Sequence, residues 1–203
     1  MKRKYNELIS SLTDKELISQ LYLTQIILLV ISFILSIFLY DHFSYFKHMN
    51  WSDFQIMSLG IPSGIAVVIV DLLLMKWLPS SYYDDGGLNE RIFRNKSILH
   101  ILFIAAIVAF CEELLFRGII QTRVGLILAS VIFAIIHYRY LFNWFLFLNI
   151  VLLSFIIGII YQWTDNLAVT IIMHFIIDFL LGVSIRFKLI SKELDDEQEG
   201  VAP

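Results

Sequence analysis

Six long apolar stretches, separated by short polar segments, form the main pattern along this chain. They cover residues 21–40, 55–78, 97–122, 124–138, 141–163 and 167–185. Each is near the roughly 20 residues that a helix needs to cross about 30 Å of hydrocarbon, although the fourth is short. No alternation of apolar and polar positions persists along them, so strands of a membrane barrel are not indicated.

The apolar stretches predict helices, because backbone polar groups in lipid must find their hydrogen-bond partners within the protein. We therefore expect an all-α fold, a polytopic membrane helix bundle of about six transmembrane helices. Residues 1–20 are expected to form a polar cytoplasmic N-terminal segment, and residues 21–96 the first two transmembrane helices and a basic cytoplasmic loop. Residues 186–203 are expected to form a polar cytoplasmic tail.

Composition supports a membrane protein and argues against a disulfide-stabilised protein and a nucleic-acid-binding protein. Hydrophobic residues make up 59% of the 203 residues, against about 45–50% in soluble domains. Cys111 is the single cysteine, so an intramolecular disulfide is excluded. The net charge of −3 offers no basic face for nucleic acid. The lipid bilayer is the expected surrounding.

The lysines and arginines predict the orientation in the cell membrane. An even number of crossings places both termini on one side, and most basic residues fall on that side. On the opposite side of the membrane, we expect Lys47 and Arg123. Because cytoplasmic segments carry the excess of Lys and Arg, we expect a multi-pass protein with both termini in the cytoplasm. The first apolar stretch is expected to be an uncleaved anchor, since no small-residue cleavage site follows it.

Charged residues interrupt the third apolar stretch, where Glu112, Glu113 and Arg117 occur. A charge at the centre of a membrane helix costs about 2.5–3.5 kcal/mol on insertion scales, so such residues usually face the bundle interior and have a function. Glu113 and Arg117 are four residues apart and can pair on one helical face. Glu112 points about 100° away, toward a different neighbour.

Two further apolar stretches carry polar residues at the same spacing of four. Phe133 and His137 lie on the fourth, and His174 and Asp178 on the sixth. Glu112 and His137 are each twelve or thirteen residues from the turn near residues 124–125, so both lie roughly 18 Å from it. His174 is about seven residues, or roughly 10 Å, into its own helix on that side. We therefore expect these groups to lie at similar depth.

The three pairs together resemble a known set of motifs. Glu112-Glu113-x-x-x-Arg117, Phe133-x-x-x-His137 and His174-x-x-x-Asp178, in this order on separate helices, are similar to the motifs of the CAAX protease and bacteriocin-processing (Abi) family. The resemblance covers about residues 97–185, which are interpreted as a CAAX protease-like catalytic core. It implies an intramembrane endopeptidase that acts on membrane-associated peptides or proteins.

The resemblance also implies roles for the motif residues. Glu112 would activate the attacking water with help from His137, and Glu113 and Arg117 would orient the site. His174 and Asp178 would stabilise the oxyanion. The family is described both as metal-independent and as metalloprotease, and the residues permit either. If zinc is used, the ligands would be Glu112, His137 and His174, since two histidines and a carboxylate with an open water position form a known catalytic set.

This chain departs from the family at one position, where members often carry Asn and this chain has Asp178. An amide can donate a hydrogen bond to an oxyanion, whereas a carboxyl group can do so only when protonated. An ionised Asp178 would instead suit metal ligation or the orientation of His174.

Other interpretations of these residues stay open. Glu113 and Arg117 could form a purely structural ion pair, and Phe133 is expected to serve packing. A non-catalytic immunity or regulatory protein of the same fold is the main alternative function, although intact motifs favour the enzyme. A small transporter ranks last, since no inverted repeat is visible. The role of Asp71 in the second stretch is left open between pairing with a polar group of the bundle and simply lying near Lys76.

Overall fold

A computed structural model describes residues 9–40, 48–137, 140 and 143–187 of the chain. Predictions that concern the two termini and several basic residues used in the orientation argument lie outside the described residues. These are Lys2, Arg3, Lys4, Lys47, Arg139, Lys188 and Lys192. The cytoplasmic location of both termini therefore stays a prediction.

The helices formed by the apolar stretches follow the predicted order, and one further short helix lies between the second and the third of them. They are α1 (Asp14–Leu39), α2 (Ile56–Trp77), α3 (Leu88–Phe93), α4 (Ile98–Val124), α5 (Leu126–Ile136), α6 (Trp144–Thr164) and α7 (Leu167–Arg186). A 3₁₀ turn, Ser80–Tyr82, precedes α3. No strand occurs within the described ranges. The prediction of an all-α membrane helix bundle is confirmed.

The number of full-length membrane helices differs slightly from the expectation of about six. Five described helices, namely α1, α2, α4, α6 and α7, are long and apolar enough to cross a membrane. The fourth apolar stretch forms only α5, which has 11 residues and is therefore about 17 Å long. Its length does not carry it across about 30 Å of hydrocarbon.

The segment predicted as a basic loop also contains regular structure. Helix α3 lies within it, and its buried Leu88 and Ile92 pack against Leu17 and Ile18 at the start of α1. Arg91 donates from Nε to Asp14 Oδ1 at 2.9 Å. This loop is thus held against the first transmembrane helix.

Local sequence signals explain where several helices begin. Thr13 and Glu16 form a capping box at the start of α1, which satisfies amide groups that have no partner within the helix. Asn166 caps α7 by accepting from the Ala168 amide at 3.0 Å. Its Nδ2 also donates to Asp53 Oδ2 at 3.0 Å. The beginning of α7 is therefore fixed to the segment that precedes α2.

Gly125 produces the sharp reversal between α4 and α5. Its φ of 84° lies in a region that residues with a Cβ rarely adopt. Helix α5 therefore returns antiparallel to α4 immediately after the turn. This hairpin brings the end of α5 back to the depth of the charged residues on α4.

Helices α4 and α7 lie at the centre of the bundle. In each, 50% of the membrane-spanning window is buried inside the protein, compared with 22% to 28% for α1, α2 and α6. Helix α2 approaches α7 closely at Gly64, where a Cβ would lie 2.8 Å from the Met173 carbonyl oxygen. Small residues allow such close packing in membranes. The two central helices are those that carry most of the predicted site.

Candidate active site

Helix α4 changes its winding directly after the two glutamates. Residues Ile98–Glu113 are α-helical, and Leu114–Gln121 form a π-helical segment. Such segments are rare and often occur at functional sites, because they alter the direction of side chains within a helix. The change lies between Glu113 and Arg117, two members of the first predicted motif.

Arg117 is fully buried, and its guanidinium is held by three groups. Nε donates to Glu113 Oε2 at 3.3 Å, Nη1 to Gln121 Oε1 at 3.3 Å, and Nη2 to Ser154 Oγ at 3.0 Å. Gln121 in turn donates from Nε2 to the Gly158 carbonyl at 2.7 Å. A buried charge is tolerated only with such partners. This network joins α4 to α6.

Glu113 lies between Arg117 and His174, and its side chain is fully buried. Oε2 accepts from Arg117, and Oε1 lies 2.9 Å from His174 Nδ1. Because a carboxylate only accepts hydrogen bonds, Nδ1 is the donor. His174 Nε2 therefore points to Asp178, whose Oδ2 is 3.6 Å away. That distance is longer than a direct hydrogen bond.

Glu112 and His137 form a second, more accessible pair. His137 lies at the end of α5, and its Nδ1 is 2.9 Å from the Phe133 carbonyl, which can only accept. The other ring nitrogen, Nε2, lies 3.8 Å from Glu112 Oε2. The side chains are 11% exposed for Glu112 and 17% for His137. The separation of 3.8 Å is longer than a direct hydrogen bond.

The aromatic ring of Phe133 contacts both halves of the site. It stacks on the His137 ring at 4.3 Å, and the Arg117 guanidinium lies 5.4 Å from its centroid. Phe116 packs edge-on against it at 4.8 Å. Phe133 was predicted to serve packing, and it does so specifically against two motif residues. It thereby helps to fix the position of His137 relative to Arg117.

The structure brings the six predicted site residues into two groups. Arg117, Glu113, His174 and Asp178 form a continuous chain of contacts across α4 and α7, and Glu112 and His137 face each other between α4 and α5. Glu112 and His137 were expected to lie at similar depth, and their side chains are 3.8 Å apart in the structure. The chemical role of each residue stays a prediction.

The predicted zinc ligands do not converge as a set of three. In the part of the chain that the structure describes, no three His, Cys, Asp or Glu side chains are arranged to hold a metal ion. Glu112 faces His137, whereas His174 contacts Glu113 and lies near Asp178. In this arrangement the three side chains do not form the ligand set, so we derive no step through a metal. Whether the protein binds zinc stays a prediction.

Sequence analysis did not identify two polar residues that support Arg117. Gln121 and Ser154 are 4% and 0% exposed inside apolar helices. Gln121 could have been found, because it lies four residues after Arg117 and so shares its face. Asp71, in contrast, makes no hydrogen bond or ion pair with a described residue, so a pairing with a polar group of the bundle is not observed.

Comparisons with known proteins agree with the predicted core. The model of a family described as type II CAAX prenyl endopeptidase Rce1-like matches residues 94–180, which include all six predicted site residues. The chain is 46% identical over 145 residues, 71% of its length, to the uncharacterized protein YpbD of Bacillus subtilis (strain 168), covering 77% of that protein. It is 29% identical over 124 residues to the UPF0177 protein YxdF of Lactococcus lactis, covering 59% of this chain and 68% of that protein. No solved structure gives a significant match.

Proposed function

This chain belongs to the CAAX protease and bacteriocin-processing family, and we propose that it is an intramembrane endopeptidase. It hydrolyses peptide bonds of membrane-associated peptides or proteins, and Glu112 activates the attacking water. The observation that carries this proposal is the contrast between the two adjacent glutamates. Glu113 is fully buried against Arg117, whereas the side chain of Glu112, although largely buried, keeps 11% of its surface exposed and faces His137.

A general base must reach both the water and the substrate. Glu112 meets this requirement better than Glu113, because Glu113 is fully buried and already bound by Arg117 and His174. Glu112 takes a proton from the water while the water oxygen bonds to the carbonyl carbon. The resulting tetrahedral intermediate carries an oxyanion. When the carbon–nitrogen bond breaks, the proton passes from Glu112 to the leaving amine. His137 orients the same water through Nε2, which lies 3.8 Å from Glu112 Oε2.

His174 is the proposed donor to the oxyanion. Glu113 accepts from its Nδ1 and so fixes the ring, while Arg117 fixes Glu113. In the imidazolium form Nε2 is also a donor. A donor that is already in position stabilises developing negative charge without reorganisation, which is worth about 10²–10³-fold in rate in hydrolases. Glu113 and Arg117 are therefore positioning residues in this proposal.

We expect Asp178→Asn to retain activity within a few-fold of wild type. Asp178 does not make a direct hydrogen bond to His174, and its side chain is 28% exposed. The amide is nearly isosteric and can also donate to an oxyanion. The measurement is kcat for a cleaved peptide in nanodiscs. The matched control is Asp165→Asn, at an exposed turn between α6 and α7.

A loss of more than about a hundredfold for Asp178→Asn, at unchanged abundance, would contradict this expectation. Loss of a carboxylate that orients a ligating histidine typically costs about 10–100-fold. That outcome would therefore favour an anionic role for Asp178, either toward a metal or toward His174.

The proposed activity is tested with purified protein in nanodiscs and a library of apolar peptides in ¹⁸O-enriched water. We expect pairs of fragments whose masses sum to the substrate plus one water, with the label in the new carboxyl group. The rate should persist after treatment with a metal chelator, because the site residues do not converge on a metal. The metal content is measured before and after the treatment.

Two results would change this conclusion. Loss of cleavage on chelation, with recovery on addition of zinc, would establish a metalloprotease. A folded protein that leaves every peptide intact would support the alternative of a non-catalytic immunity or regulatory protein.

A further inference from the structure

One face of α6 packs against Arg117 and the end of the π-helical segment of α4. Ser154, Gly158 and Tyr161, hereafter the α6 stripe, are spaced as i, i+4 and i+7 and so lie on the same side of α6. All three are buried. None of them belongs to the three motifs, yet each contacts Arg117 directly or through one intervening side chain.

The first two members of the α6 stripe act on the Arg117 side chain. Ser154 Oγ accepts from Arg117 Nη2 at 3.0 Å. The Gly158 carbonyl accepts from Gln121 Nε2 at 2.7 Å, and Gln121 Oε1 accepts from Arg117 Nη1 at 3.3 Å. A Cβ at position 158 would lie 2.8 Å from the Gln121 oxygen and 3.3 Å from Nη1. A larger residue there would therefore displace the groups that hold the guanidinium.

The third member of the α6 stripe acts on the Arg117 main chain. Thr122 Oγ1 donates to the Arg117 carbonyl oxygen at 3.0 Å and lies 3.1 Å from the Tyr161 hydroxyl. Because a threonine hydroxyl has a single proton, Tyr161 is the donor in the second contact. Arg117 belongs to the π-helical segment, whose wide turn departs from the ordinary hydrogen-bond pattern of a helix. The α6 stripe thus holds Arg117 at both its side chain and its carbonyl group.

The rigid guanidinium connects these contacts to the proposed chemistry. Its nitrogens form a planar fork of fixed geometry, so holding Nη1 and Nη2 also fixes the direction of Nε. Nε donates to Glu113 Oε2, and Glu113 Oε1 accepts from His174 Nδ1 at 2.9 Å. Three successive hydrogen bonds therefore join Ser154 to the ring that is the proposed donor to the oxyanion.

We propose that the α6 stripe positions His174 for the reaction, and that Ser154 is its principal positioning residue. The proposal rests on the peptidase function proposed above and adds α6 to the elements that its site requires. Without the Ser154 hydroxyl, Arg117 Nη2 loses this acceptor, so the guanidinium can rotate and Glu113 with it. A displacement of about 1 Å can lower a rate about a hundredfold, even when the substituted residue is far from the chemistry.

The kinetic test compares Ser154→Ala with wild type in nanodiscs. We expect kcat for a cleaved peptide to fall about 10–100-fold. KM should be unchanged, because Ser154 is 0% exposed and does not reach a bound peptide. Ser32→Ala is the matched control, since it removes a buried hydroxyl of α1 that donates to the Leu28 carbonyl of its own helix at 2.8 Å. This control should cleave at the wild-type rate.

A second readout follows His174 directly and needs no substrate. In protein with ¹⁵N-labelled histidine, the ring resonances of His174 are assigned by their loss in His174→Gln. We expect Ser154→Ala to shift the Nδ1 resonance, because the hydrogen bond to Glu113 changes, whereas Ser32→Ala should leave it in place. Tyr161→Phe removes the other hydroxyl of the α6 stripe and should shift the same resonance. It provides the test if Ser154→Ala does not fold.

The outcomes separate this proposal from the proposed function. An unmoved His174 resonance in both Ser154→Ala and Tyr161→Phe would overturn the positioning role, whatever the unfolding temperatures. A wild-type kcat in Ser154→Ala would also overturn it. An equal shift on adding Ser154→Ala to Arg117→Met would refute the role, because the effect has to pass through Arg117. A wild-type protein that cleaves no peptide would refute the peptidase function, while the resonance would still decide whether the stripe holds His174.

Discussion

Arg117→Met is expected to lower the free energy of unfolding by about 3–5 kcal/mol, the usual result of removing one partner from a buried ion pair. The substitution leaves Glu113 fully buried without its cation. It also removes the donors that bind Gln121 and Ser154. Methionine fills much of the same volume, so loss of charge rather than a cavity should dominate.

The measurement for Arg117→Met is the thermal unfolding temperature in detergent, together with protein abundance in the membrane. Arg123→Met is the matched control, because Arg123 is an exposed cation of the same helix. Adding Glu113→Gln to Arg117→Met should restore part of the stability, since it removes the uncompensated charge. An Arg117→Met protein with the abundance and unfolding temperature of wild type would show that the pair does not stabilise the fold.

The similar depth of Glu112 and His137 could be predicted from the sequence because helix geometry is regular. The rise per residue fixes how far each residue lies from the Gly125 turn, and the two side chains do meet at 3.8 Å. The same arithmetic did not determine the neighbour of His174. Its contact with Glu113 depends on how α7 tilts against α4, and tilt is set by side-chain packing.

The sequence could not predict the local winding of α4 or the length of α5. A π-helical segment is held by tertiary contacts, and nothing in the composition of Leu114–Gln121 distinguishes it from an ordinary helix. Helix α5 is shorter than the apolar stretch at 124–138 because the non-helical conformation of Gly125 interrupts the helix at one end. At the other end His137 already leaves the helical conformation.

The support around Arg117 was missed for a related reason. Ser154 lies on α6, which is separated from Arg117 by a long connection and carries no charged residue. Its hydrogen bond to the guanidinium depends on the relative placement of two helices. Spacing along one helix cannot reveal such a contact, whereas it did reveal the pairing of Glu113 with Arg117.

Glu112→Gln is expected to lower kcat by about 10²–10⁴-fold, the range attributed to general acid–base catalysis. The amide has nearly the shape of the carboxylate but cannot take a proton from water. The buried Glu113–Arg117 pair is left intact, so the fold should be preserved. Glu90→Gln is the matched control, since Glu90 is an exposed glutamate of α3.

The most direct measurement is the initial rate of peptide hydrolysis in nanodiscs by equal amounts of folded wild-type and Glu112→Gln protein. Unfolding temperatures are recorded for both, so that a loss of fold is not mistaken for a loss of chemistry. If Glu112 activates the water, hydrolysis falls at least about a hundredfold while the unfolding temperature stays the same. A Glu112→Gln protein that cleaves the peptide at the wild-type rate would contradict the role of Glu112 as general base.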